Sequence, residues 1–245
     1  MINETVRKLH EMKLGSMANA YVEQVEQPDI YADMDFDQRF ALIADKCHDD
    51  WQNRTINGRI KRSGLPLRDV SFNDILFLPE RNLKMEPVKL LCSNEYILKK
   101  RNIILLGATG TGKTFLANVF GLGACRSGYR VKYLRMPVFY SEYAAAAAKA
   151  KLDIYLKNLL NTPLLILDDF LLYPASDDQQ QAIMELAESR YGRCSTIFCS
   201  QFDIAGWHDQ LGGSALADSI LDRISSNAHM IMLQGESMRK RNTAD

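Results

Sequence analysis

Hydrophobic positions fall into two textures along this chain. In the first 75 or so residues they recur at near-helical spacing. Val6, Leu9, Met12, Leu14, Met17 and Tyr21 mark one helical stretch, and Phe40, Leu42, Ile43 and Cys47 mark another. Asp35 and Asp37 stand where caps of the second helix are expected. "SGLPLRDVSFNDI", with Gly64 and Pro66, reads as a connector. From about residue 101 the pattern changes to short apolar or β-branched runs: "NIILLG", "YRVKYLRM", "LLILDD", "STIFCS" and "HMIML". Helical segments alternate with them at 113–126, 137–160, 177–191 and in pieces within 205–226. The alanine run from Tyr143 to Lys151 reads as plain helix, because alanine is the best helix former. Strands alternating with helices predict an α/β domain with a mainly parallel sheet flanked by helices. The expected division is therefore a small all-helical N-terminal domain, 1–75, and an α/β domain, 76–245.

Composition changes this picture little. The chain has 245 residues, enough for one core or one core with a small accessory domain. Lys plus Arg number 30 and Asp plus Glu number 30, so overall charge says nothing about nucleic acid. The five cysteines are odd in number and form no C-x-x-C pair, which suits reduced thiols. Cys47 and His48 have no second pair at zinc spacing. The charged N-terminus lacks the apolar region of a signal peptide, and no apolar run approaches the ~20 residues of a membrane helix. A soluble, cytoplasmic protein without membrane contact is expected.

Local charge is more telling. "WQNRTINGRIKRSGLPLR" carries Arg54, Arg59, Lys61, Arg62 and Arg68 and no acid. Such a run is either a solvated face or a sequence-independent, salt-sensitive surface for DNA phosphates. Lys132, Arg135, Lys149 and Lys151 are secondary candidates. Without a base-reading motif, backbone contact is the expected mode.

The strongest chemical signal is "GATGTGKT", Gly107 to Thr114, which matches G-x-x-x-x-G-K-[ST] between an expected strand and an expected helix. Such a loop wraps backbone N–H groups around phosphates, and a helix N-terminus adds positive potential. Gly107, Thr109, Gly110, Thr111, Gly112, Lys113, Thr114 and Phe115 form the expected cradle for ATP or ADP. Lys113 would reach the β/γ-phosphates, and the Thr114 hydroxyl would ligate Mg²⁺. Asp168 closes the apolar run "LLIL" and is the expected second Mg²⁺ residue, acting through water. Asp169 follows where AAA+ ATPases usually carry a glutamate that polarises the attacking water. It either fills that role, one methylene shorter and hence slow, or caps the next turn. Slow hydrolysis would suit a timing switch better than a motor.

"LLGATGTGKTFLA", "LLILDDF", "LADSILDRISSNAHMIMLQGESMR" and the opening "MKLGSMANAY" together resemble the IstB transposition helper ATPases. These AAA+ proteins are similar to the helicase loaders DnaC and DnaI. The resemblance spans nearly the whole chain. The phosphate loop is generic, and the tail and opening are the specific parts. One departure is "FLLYPASD" after Asp169, where glycine is expected after the aromatic.

The resemblance implies further roles. Ser200, or else Gln201, would sense the γ-phosphate. Arg223 would be an arginine finger reaching a neighbouring subunit's ATP, and Arg239 a second sensor. Without the family, Arg223 could simply pair with Asp218 or Asp222, and Arg239 could belong to a solvated basic tail. So little chain follows Arg239 that no helical lid is expected. The implied function is a Mg²⁺-dependent ATPase that forms a ring or spiral homo-oligomer on double-stranded DNA and recruits or activates a DDE-type transposase. The alternative is a replicative helicase loader of the DnaC/DnaI type. A small-molecule kinase would need an acceptor-binding lid, which the sequence does not suggest.

Overall fold

The computed structural model describes residues 2–238. The chain divides into two compact units, Met1–Gly58 and Arg59–Asp245. In the first, α1 (Ile2–Glu11) and α2 (Gly15–Glu26) are separated by a turn in which Lys13 takes φ 62°. The helical spacing seen from Val6 to Tyr21 is thus shared between two helices. α3 (Phe36–Ser63) begins at Asp35, whose Oδ1 accepts from Gln38 N at 2.8 Å while Gln38 Oε1 accepts from Asp35 N at 3.1 Å. The Gln24 side chain ties α2 to α3: its Nε2 donates to Arg39 O at 2.8 Å, and its Oε1 accepts from Arg39 Nε at 3.2 Å.

Against an expected division near residue 75, the units divide at Gly58/Arg59, inside α3. The physical reason is burial: Leu65 and Ile75, with Ile60 packed beside them, belong to the core of the second unit.

The second unit continues with α4 (Met85–Cys92), α5 (Glu95–Leu98), β1 (Asn102–Leu106), α6 (Lys113–Arg126), β2 (Val131–Arg135), α7 (Met136–Ala148), α8 (Leu152–Leu160) and β3 (Leu164–Asp168). It then runs through α9 (Asp177–Arg190), β4 (Ser195–Ser200), α10 (Ile204–Gln210), α11 (Ala215–Ser225) and β5 (Ala228–Met232). The strands form one sheet in the order β2-β3-β4-β1-β5, with every pair parallel. All five expected strands are present.

The pleat explains their near-continuous apolar runs, because successive side chains enter opposite cores. Ile103, Leu105, Leu164, Ile166, Ile197 and Cys199 pack with α4 and α6 on one face. Ile104, Leu106, Leu165, Leu167 and Phe198 pack with α9, α10 and α11 on the other. Phe170 sits edge-on to both Phe198 and Trp207 in that second core, with ring centroids 4.8 and 4.7 Å away.

The helix expected over 137–160 is two helices. Ala150 adopts φ 51°, and the N–H groups of Ala150 and Lys151 bond back to Ala147 O and Ala146 O. This closes α7 as a left-handed cap does, although alanine lacks glycine's freedom there. Among the described residues no helix is long and apolar enough to cross a membrane.

Candidate nucleotide-binding site

The loop between β1 and α6 lies at the carboxyl end of the sheet, where open parallel sheets bind ligands. Gly107, Gly110 and Gly112 take φ of 149°, 84° and 98°. A Cβ would collide with Leu233 O at Gly107, with Ser237 at Gly110 and with the Arg81 guanidinium at Gly112. Both the backbone angles and the close approach therefore demand glycine. Lys113 Nζ donates to Gly107 O at 2.6 Å and Ala108 O at 2.9 Å, so its ammonium lies over the loop. The first turn of α6 points its N–H groups into the same cleft.

The floor of the cleft is Asp168, only 4% exposed. Its Oδ2 accepts from Thr114 Oγ1 and from Tyr133 Oη, each at 2.7 Å, and its Oδ1 accepts from Asp169 N at 3.0 Å. Parallel pairing brings these groups together: β2 runs beside β3 with Tyr133 opposite Ile166 and Arg135 opposite Asp168. Asp169 sits at the rim with φ 56°, its Oδ2 accepting from Arg135 Nε at 2.9 Å and Nη2 at 2.8 Å. Leu171, where the sequence pattern called for glycine, takes φ 50° and is buried in the second core. Packing of its side chain holds a backbone conformation that costs a non-glycine residue roughly 1 kcal/mol. Cys199 lies under the loop, 4.0 Å from Lys113 O, and burial, then the nearby Asp168 charge, raises its thiol well above the ordinary range.

The cleft encloses about 510 Å³. Its lining combines apolar side chains such as Pro66, Leu67 and Leu76 with polar ones such as Lys113, Asp168 and Gln201. Such a cleft, with apolar side chains and a phosphate loop in one lining, fits a nucleotide. The oxygen pair of Thr114 and Asp168 fits Mg²⁺, a hard cation that takes few protein ligands and shares the rest with phosphates and water. Among the described residues no cluster of three His, Cys, Asp or Glu side chains could hold a metal alone.

Residues 7–245 match the family model described as IstB-like ATP binding protein. The chain belongs to this family. It is 34% identical over 242 residues to the insertion sequence ATP-binding protein y4uH of Sinorhizobium fredii, covering 96% of this chain and 94% of that one. It is 30% identical over 201 residues to the ATP-binding protein of insertion sequence IS1162 from Pseudomonas fluorescens, covering 82% and 87%. Both relatives carry those ATP-binding designations as provisional names. Among solved structures, the DnaC helicase loader superposes with a TM-score of 0.58 at 19% identity, covering 72% of this chain and 99% of that one. AMPPCP-bound DnaA from Aquifex aeolicus gives 0.58 at 21% identity, covering 72% and 54%. These likenesses show the AAA+ fold of an ATP-binding, insertion-sequence family.

Most of the loop and metal candidates converge on the cleft, including Thr109, Gly110, Gly112, Lys113, Thr114, Phe115, Asp168 and Asp169. Ser200 differs from expectation. It lines the cleft, but its hydroxyl points into the second core, donating to Phe170 O at 2.7 Å and accepting from Trp207 Nε1 at 2.8 Å. Strand parity is the reason: Ser200 shares a face with Phe198, whereas Cys199 faces α6. Its neighbour Gln201 lines the cleft too, and is exposed.

Arg223 lies outside its own chain's cleft. It pairs with Glu188 of α9, not with Asp218 or Asp222, and donates through Nη1 to Ser219 O at 3.0 Å. Arg239 falls outside the described residues. Of the basic run, Lys61, Arg62 and Arg68 are exposed and Arg59 is half-buried. Arg54, in the first unit, bonds Ser16 Oγ at 2.8 Å and Asp50 O at 3.1 Å.

Tyr133 and Arg81 were invisible as site residues in the sequence. Arg81 is buried, donating to Leu76 O at 2.6 Å and Thr111 O at 2.9 Å, and so joins the segment at Leu76 to the phosphate loop.

Proposed function

We propose that this chain is a Mg²⁺-dependent ATPase that assembles as a homo-oligomer on double-stranded DNA and recruits or activates a transposase. The observation that carries the reading is the Thr114–Asp168 pair, 2.7 Å apart beneath a glycine loop that positions Lys113. Loop amides and Lys113 would hold the β/γ-phosphates. Thr114 and Asp168 would hold Mg²⁺, which when bound neutralises phosphate charge and orients the terminal phosphoryl group.

Asp169 would accept the proton of the attacking water. Arg135 holds that carboxylate at the rim of the cleft through Nε and Nη2. Gln201 takes the sensing role first expected of Ser200, because its side chain is the exposed one. Arg223 reaches no phosphate of its own chain and would act on the ATP of a neighbouring subunit. Arg239 stays a second-sensor candidate. Arg54, Arg59, Lys61, Arg62 and Arg68 would meet DNA phosphates.

The transposition role draws on the relatives' insertion-sequence names. The helicase-loader alternative draws on a fold likeness alone. The test is to measure ATP hydrolysis with and without duplex DNA, then ask whether a transposase or a replicative helicase is retained on the assembled complex. DNA-stimulated turnover with transposase retained is expected. Helicase retained in its place would overturn the transposition role, and absent turnover would overturn the ATPase reading.

A further inference from the structure

We propose that Tyr133 is a positioning residue for the magnesium site, fixing the Asp168 carboxylate so that Thr114 and Asp168 present a ready-made pair of oxygens to the metal. This rests on reading Asp168 as the acid that holds Mg²⁺.

Three features carry the inference. First, Asp168 is buried, and a buried carboxylate needs its oxygens satisfied by hydrogen bonds to be held in one orientation. Second, the donors meeting it from Thr114, Tyr133 and Asp169 N are neutral, so they orient the carboxylate without cancelling its charge. A cation paired there would compete with a metal; a phenol does not. Third, Tyr133 holds Oδ2 independently of Thr114, so this hydrogen bond would remain if the Thr114 hydroxyl served as a metal ligand.

Tyr133 reaches Asp168 because parallel pairing sets it opposite Ile166, two residues back, and its side chain is long enough to lie along the strand. The ring packs at the edge of the first core, so the hydroxyl is the part that packing does not explain.

Tyr133→Phe removes that hydroxyl and keeps the ring. In the full-length protein, binding of a fluorescent ATP analogue is followed across a Mg²⁺ titration and again in EDTA, with Thr114→Ala as reference. The Mg²⁺ midpoint of Tyr133→Phe should rise about tenfold, the usual effect of removing a group that supports a metal ligand. Affinity in EDTA should stay at wild type, and hydrolysis should recover at saturating Mg²⁺. A wild-type midpoint in Tyr133→Phe, with the Thr114→Ala midpoint raised, would overturn the proposal alone. Equal loss of affinity with and without Mg²⁺ would make Tyr133 merely structural and overturn it too. No Mg²⁺ dependence in the wild-type protein would overturn the metal reading and the proposal with it.

Discussion

Asp168 and Asp169 are adjacent in sequence yet belong to different regions of the cleft. Asp168 forms the floor, 4% exposed, and accepts from neutral hydroxyls and a backbone N–H. Asp169 forms the rim, its side chain 30% exposed, and meets the guanidinium of Arg135, itself 61% exposed. A buried carboxylate oriented by neutral donors is held in place without a paired cation that a metal would have to displace. A rim carboxylate beside an exposed cation can change partner during a reaction. A left-handed residue at the junction, Asp169 at φ 56°, turns the two side chains apart.

The largest expected effect would break the idea that one chain holds a complete site. Arg223 stabilises neither floor nor rim of its own subunit, and arginine fingers are worth ~10³–10⁵ in rate. Arg223→Ala should bind ATP normally, lose hydrolysis by at least about a thousandfold, and lose nucleotide-dependent oligomers. Mixing it with Lys113→Ala should restore activity that neither variant shows alone, measured as phosphate release. No rescue at any ratio, with both variants folded, would place Arg223 in its own chain as a structural ion-pair partner.

Lys113→Ala probes the phosphate loop above the floor. It should weaken ATP binding by about a hundredfold, the scale of removing a charge-assisted hydrogen bond of ~3 kcal/mol. Calorimetry reads this directly, and wild-type affinity would end the phosphate-loop assignment.

Stability sharpens the contrast between the two carboxylates. Tyr133→Phe should cost ~1.5–3 kcal/mol in denaturant unfolding, because it removes a hydrogen bond to a buried charge. Arg135→Gln should cost under about 1 kcal/mol, because its pair is solvent-screened. Similar losses from both would erase the distinction. The smallest effect lies outside the cleft: replacing Lys61, Arg62 and Arg68 with Gln should lower the salt slope of DNA binding by about one unit for each phosphate no longer neutralised. An unchanged slope would move the DNA surface elsewhere.

What the sequence revealed depended on the range of the interaction. The strands and the glycine loop are local patterns, and Asp35 could be read as a cap from its spacing alone. Tyr133 and Arg135 become site residues only through the pairing of β2 with β3, which no local pattern encodes. Arg81 reaches the phosphate loop from a turn far earlier in the chain. The boundary at Gly58 was hidden because α3 continues through it, and the break at Ala150 because alanine rarely takes a left-handed cap. Ser200 was within reach: its parity with Phe198 already assigns it to the face away from the phosphate loop.

The most direct test sets Asp168→Asn beside Asp169→Asn and measures Mg²⁺-dependent ATP binding and single-turnover hydrolysis in both. Asp168→Asn should lose the Mg²⁺ dependence of binding. Asp169→Asn should keep that dependence and slow hydrolysis by ~10²–10⁴, the usual worth of a general base. If both variants lose Mg²⁺-dependent binding alike, or if Asp169→Asn turns over at the wild-type rate, the division of labour between floor and rim is contradicted.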